Sequence, residues 1–191
     1  MLNEHDQGVL LKLAREALHA RVTHGRAPVV ESAGVLALHR GAFVTIHRLG
    51  NLRGCLGRVT IDMPLGQTIV HLAGVVADSD PRFAPVASHE LPELDIEISV
   101  LTPEREIAAI DEIEVGRHGL IIEDGGYCGL LLPQVASEHG WNRETFLEHT
   151  CLKAGLPRDA WKGDARKKRA RILVFEAHVF GEDQSGGTTA I

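Results

Sequence analysis

The chain has 191 residues, 44% hydrophobic and 24% charged, with 20 Lys and Arg against 26 Asp and Glu for a formal net charge of −6. That length builds one domain, or a domain with a small annex, with a core that needs no disulfides or structural metal. The charge balance excludes a chain that is basic all over, as a general nucleic-acid binder would be, and no apolar run reaches the 18 or more residues of a membrane span.

The first residues, MLNEHDQG, are polar and acidic. They do not read as a signal or transit peptide, so the cytoplasm is the expected compartment. Residues 4–24 read as a helix, with Val9, Leu10, Leu13, Ala14, Ala17 and Leu18 on one face, Asn3 as N-cap and Gly25 as the stop. A Pro-, Gly- and Ser-containing loop follows at 26–34. Residues 42–60 read as a β-hairpin, AFVTIHR returning as LRGCLGRVT. Its turn is placed at Gly50-Asn51, because centring it on Leu49-Gly50 would force Leu49 to a positive φ.

Pro64 opens a second helix to about Ala77, with Ile69, Leu72, Ala73 and Val76 as its buried stripe. Residues 93–101 alternate strictly: Leu94, Ile96, Ile98 and Val100 face one way, and Asp95, Glu97 and Ser99 the other. An acidic connection (103–117) leads to a second hairpin, GLIIE and YCGLLL about Asp124-Gly125-Gly126. Pro133 starts a short helical turn. Asn142 caps a further helix that ends at Gly155. One final strand is expected over 170–180, with Leu173, Phe175, Ala177 and Val179 on one face. Hairpins dominate and no βαβ rhythm repeats. The expected fold is therefore α+β, a mainly antiparallel sheet flanked by helices. A single domain spans 1–180, and 181–191 form a mobile tail.

Three Cys (55, 128 and 151) and eleven His stand out. An odd Cys count without CxxC spacing argues against a disulfide framework or zinc ribbon. No His spacing suggests a metal, and no cofactor is identified. The sharpest local signal is Arg53-Gly54-Cys55-Leu56-Gly57-Arg58. Glycines allow close backbone approach and an anion-binding nest of amides, and a neighbouring Arg53 favours thiolate at Cys55. With the turn at Gly50-Asn51, Arg48 lies opposite Arg53. Like charges there call for an anionic ligand or an acidic side chain. The plainer reading of Cys55 is core filler.

Asp80-Pro81-Arg82-Phe83 holds an acid and a base on a rigid turn; the plainer reading is a solvated helix stop. His118, between Gly116-Arg117 and Gly119, is a candidate general base, or a packed imidazole. Cys128 and Cys151 read as core. The basic run Arg166-Lys167-Lys168-Arg169, with Arg171, could meet phosphates and equally suits a solvated loop.

The segments LRGCLG (52–57), DPRFAPV (80–86), ELPELDIEISVLTP (90–103), GRHGLII (116–122), GLLLPQVASEHGW (129–141) and CLKAGLP (151–157) together resemble the AMMECR domain family, protein A of the AmmeMemoRadiSam set in bacteria. The match covers about residues 4–180. It departs at the turn, where Leu49-Gly50 stands for a common Asn-Gly, and in the weight of the basic run. The resemblance implies an α+β fold with a smaller lobe and an unsettled activity. A Cys-dependent enzyme acting on a nucleotide or modified base, in predicted RNA modification, is the leading expectation. Cys55, Arg53, His118 and Asp80 would be catalytic; Gly54, Gly57, Arg58, Arg82 and Gln134 would bind substrate. The alternative is a non-catalytic adaptor for a Memo-type dioxygenase-like protein and a radical-SAM protein. A third reading is an RNA binder led by 166–171.

Overall fold

The computed structural model describes residues 2–59, 61–163 and 169–182. Its helices are α1 (Glu4–Val22), α2 (Leu65–Val75), α3 (Pro133–Glu138) and α4 (Arg143–Lys153). Its strands are β1 (Ala42–Arg48), β2 (Asn51–Arg58), β3 (Leu94–Leu101), β4 (Arg105–Glu106), β5 (Gly119–Asp124), β6 (Tyr127–Leu131), β7 (Arg171–Phe175) and β8 (Ala177–Gly181). They form two four-stranded antiparallel sheets, in the orders β2-β1-β3-β8 and β4-β7-β5-β6. The fold is α+β as expected, with two sheets where one was anticipated. No helix among the described residues is long and apolar enough to cross a membrane.

The first compact unit holds the chain through Leu101 and regains it at His178. Asn3 caps α1: its Oδ1 accepts the Asp6 amide at 2.9 Å, and the Asp6 carboxylate accepts the Asn3 amide. The helix buries Leu10, Ala14, Ala17 and Leu18 against α2, whose own stripe is Ile69, Leu72, Ala73 and Val76. Both helices cover the inner sheet face made by Val44, Ile46, Ile96, Ile98 and Phe180. At the end of α1 the left-handed residue is His24 (φ 55°), and Gly25 only follows it.

The second unit spans Thr102–Ala177. Ile107 and Ile113 bury the connection that the sequence marks only as acidic. They pack with Leu120, Ile122, Phe146, Leu147 and Ile172. Asn142 caps α4 through the Thr145 amide at 2.9 Å, and Gly155 ends it at φ 77°.

Sequence expectations for the C-terminal stretch are corrected. The apolar run 170–180 is two strands, broken at Glu176 between the sheets. The period-2 pattern restarts there, so Phe180 is buried and Val179 is exposed. Of the expected tail, Gly181 closes β8. Glu182 pairs with Arg15 and accepts the Ile96 amide at 2.8 Å; 183–191 lie outside the described residues.

The first hairpin turns at Leu49-Gly50 and not at the expected Gly50-Asn51, with φ 51° and 78°, and Arg48 faces Asn51. Two left-handed residues match the twist of the flanking strands. Glu90 and Glu93 hold Arg48 at the end of β1, which helps to fix the strand end against the unfavourable Leu49 conformation. A left-handed leucine costs about 1–2 kcal/mol, and Leu49 is 75% exposed, with no packing to lose. Leu49→Gly should therefore stabilise the protein by about 1 kcal/mol, read as a higher urea midpoint.

Candidate functional site

The tight turn alone would pair Ile46 with Arg53 and leave Cys55 facing the core. A bulge prevents this. His47 pairs with Leu52 and Ile46 with Gly54, so Arg53 is the extra residue. One inserted residue flips every following side chain to the other face. Gly54 and Leu56 now face inward, and half-buried Cys55 stands on the outer face opposite Thr45. The Thr45 hydroxyl donates to the Cys55 Sγ at 3.3 Å.

No nest forms, because Gly54 and Gly57 are regular strand residues. Gly54 sits against the end of α2, where a Cβ would meet Val76 and Ile46 at 3.1–3.2 Å. Gly57 lies under the Phe43 ring.

β2 is an edge strand, whose outward amides and carbonyls need partners. At Cys55 the turn after α2 supplies them. The Cys55 amide donates to Asp80 Oδ2 at 2.9 Å, and Arg82 Nη2 reaches the Cys55 carbonyl at 3.5 Å. Asp80 is buried and takes three further bonds from Arg82: the amide at 3.1 Å, Nε at 2.9 Å and Nη2 at 2.7 Å. The Arg82 guanidinium and the two amides hold the Asp80 carboxyl far below the usual carboxylate range. An anion so held positions the strand and does not trade protons at neutral pH. The cation beside Cys55 is thus Arg82, with its side chain 55% exposed.

Arg53 is spent elsewhere. It donates to Glu90 through Nε and Nη2 at 3.1 and 3.0 Å, to the Ala84 carbonyl at 2.9 Å and to the Pro85 carbonyl at 3.4 Å. Buried Glu90 also accepts from Arg48 and from the Ala87 amide. It is the acidic side chain that the two arginines require, although they meet there without standing opposite each other. Arg53 beside it keeps the Glu90 carboxyl at about 2. Phe83 lies between Arg53 and Arg82, 6.0 and 5.4 Å from their guanidinium carbons. One unit therefore brings together Arg53, Cys55, Asp80 and Arg82. Arg58, farther along β2, is paired with Asp62.

A family model for AMMECR1 matches residues 11–180. The chain belongs to the AMMECR1 family. A relative from Methanosarcina acetivorans is 42% identical over 98% of this chain and 96% of its own. One from Methanothermobacter thermautotrophicus is 41% identical, with 93% and 95% covered. The crystal structure of the uncharacterized protein PH0010 from Pyrococcus horikoshii matches at a TM-score of 0.76 and 38% identity, covering 95% of this chain and 94% of that one.

The remaining AMMECR1-family candidates lie in the second unit. His118 is buried; its Nδ1 accepts the Glu114 amide at 3.1 Å and its Nε2 stands 3.8 Å from Glu176. It lines a cleft of about 490 Å³ with Thr102, Arg105, Arg117 and Glu176. Gln134 is exposed on the short α3. Cys151 is buried as expected, whereas Cys128 is exposed. Edge strand β6 turns Gly129 inward, under Ala154, and Cys128 outward. Partial burial, with Glu123 adding, pushes the Cys128 thiol up; burial does the same at Cys151. Of the basic run, Arg171 is paired with Glu106 and Glu123, and Arg169 donates to the Ile107 carbonyl; 166–168 lie outside the described residues. Among the described residues no group of three His, Cys, Asp or Glu is placed to hold a metal.

Sequence reasoning missed Thr45 and Glu90. The Arg48 and Arg53 charges signalled the need for an acid without saying which, and Thr45 becomes visible only once the bulge sets the register. Glu90 carries a testable signature. Its carboxyl is lowered on folding, so the stability it contributes is complete above about 4.5 and is lost as pH falls through about 2. The expected contribution is roughly 2–3 kcal/mol. In urea titrations, the gap between wild type and Glu90→Gln should be widest at neutral pH and narrow from pH 4.5 downward.

Proposed function

We propose that this AMMECR1-family protein is a Cys-dependent enzyme acting on a nucleotide or modified base, with Cys55 as its nucleophile. One observation supports this above the rest. Cys55 is only half-buried and its sulfur receives the Thr45 hydroxyl, while its own amide and carbonyl are held by Asp80 and Arg82. A core cysteine needs neither a hydroxyl donor nor a fixed backbone. A donor to sulfur is worth most when the sulfur is anionic, and fixed geometry brings a nucleophile near its attack distance. Arg82 supplies the cation for an anionic group such as phosphate, since its Nη1 makes no hydrogen bond among the described residues.

Iodoacetamide labelling followed by mass spectrometry tests the role. At neutral pH Cys55 should be alkylated faster than the more exposed Cys128, and Thr45→Val should slow it severalfold. A Cys55 that stays unmodified in the folded protein would remove it as nucleophile.

A second reading, the adaptor, is favoured by the hairpin tip, where Leu49 and Leu52 are 75% and 43% exposed. The partners would be a Memo-type and a radical-SAM protein. Co-purification with both that survives Cys55→Ser and fails in Leu49→Asp/Leu52→Asp would support it.

A further inference from the structure

The outer face of the first sheet carries a feature that the cysteine chemistry leaves unused. Phe43 stands directly between Gly57 on β2 and Ser99 on β3. Its ring fills the place of a side chain at 57: a Cβ there would fall 2.0 Å from Cδ1, 2.1 Å from Cε1 and 2.5 Å from Cγ. The ring thus leans over the backbone of Gly57, two residues from Cys55 and on the same face of β2. Glycine inside a strand is unfavourable and marks a close approach; here what approaches is an aromatic ring that stays half-exposed. Ser99, on the other side of Phe43, is only 7% exposed. Its hydroxyl makes no hydrogen bond among the described residues.

We infer that Phe43, seated on Gly57, is a stacking platform for the planar heteroaromatic ring of a nucleobase, with the Ser99 hydroxyl at the edge of that ring. The inference shares the substrate class of the proposed function, but the binding does not depend on Cys55 being a nucleophile. Base–aromatic stacking tolerates any base, because each has a π face. The Ser99 hydroxyl, opposite Phe43 on β3, supplies the directional bond that orients it.

Titration of the full chain with AMP, GMP, CMP and UMP in turn, with ribose 5-phosphate as control, tests the platform. At least one nucleotide should bind, with saturation transfer between its base protons and the Phe43 ring. Phe43→Leu, which keeps an apolar cover over Gly57, should weaken binding about tenfold; Phe43→Trp should preserve it. Ribose 5-phosphate should be insensitive to either change. Cys55→Ser should leave nucleotide affinity unchanged, so a failed alkylation test would count against the nucleophile alone. Absence of binding by all four nucleotides, equal affinity in Phe43→Leu, or no transfer to the Phe43 ring in the wild type would each overturn the platform.

Discussion

The site rests on a carboxylate that stands in for a missing strand. Edge strand β2 offers Cys55 an outward amide and carbonyl, and the Asp80–Arg82 pair answers both, the anion taking the proton and the cation reaching the oxygen. A neighbouring strand would do the same with peptide groups. The ion-pair contact blunts an edge that would otherwise invite pairing with another chain.

Glu90 secures the other side of the bulge. Three charged groups meet there: two guanidiniums converge on one buried carboxylate. Buried ion pairs return little net stability once desolvation is counted, yet breaking one by removing a partner is costly. Their effect here is geometric. Arg53 is the inserted residue of the bulge, and its bonds to Glu90, Ala84 and Pro85 tether it to the loop leading into β3. The register that turns Cys55 outward is held by a residue that never touches the sulfur.

Much of the architecture was legible because it follows from local rules. The stripe of α2, the Asn3 and Asn142 caps, the Gly155 stop and the alternation of β3 are periodicity and capping and stand as read; of the α1 stripe Leu10, Ala14, Ala17 and Leu18 are buried, while Val9 and Leu13 are only half-buried. What was not legible depends on contacts distant in sequence. Leu49 occupies a left-handed position that its own side chain disfavours. Arg53 reads as a strand residue sharing a face with Cys55 and is a bulge. Cys128 reads as core because cysteine is usually buried, but inward-facing Gly129 beside it leaves it outside. The identity motif was plain from its letters. The physical use of those letters, glycines for packing and arginine for a tether, required the partners.

The break at Glu176 carries a consequence for how the chain is made. The first sheet contains residues from both ends of the sequence, since β8 completes it beside β3. During synthesis the helices and three strands of the first unit emerge early, but β3 keeps an open edge until Ala177–Gly181 appear. The intervening second unit is built entirely from Thr102–Ala177, so it can close first. The first unit is therefore finished after the second, and a growing chain halted before residue 177 would present an unpaired apolar strand to whatever lies nearby.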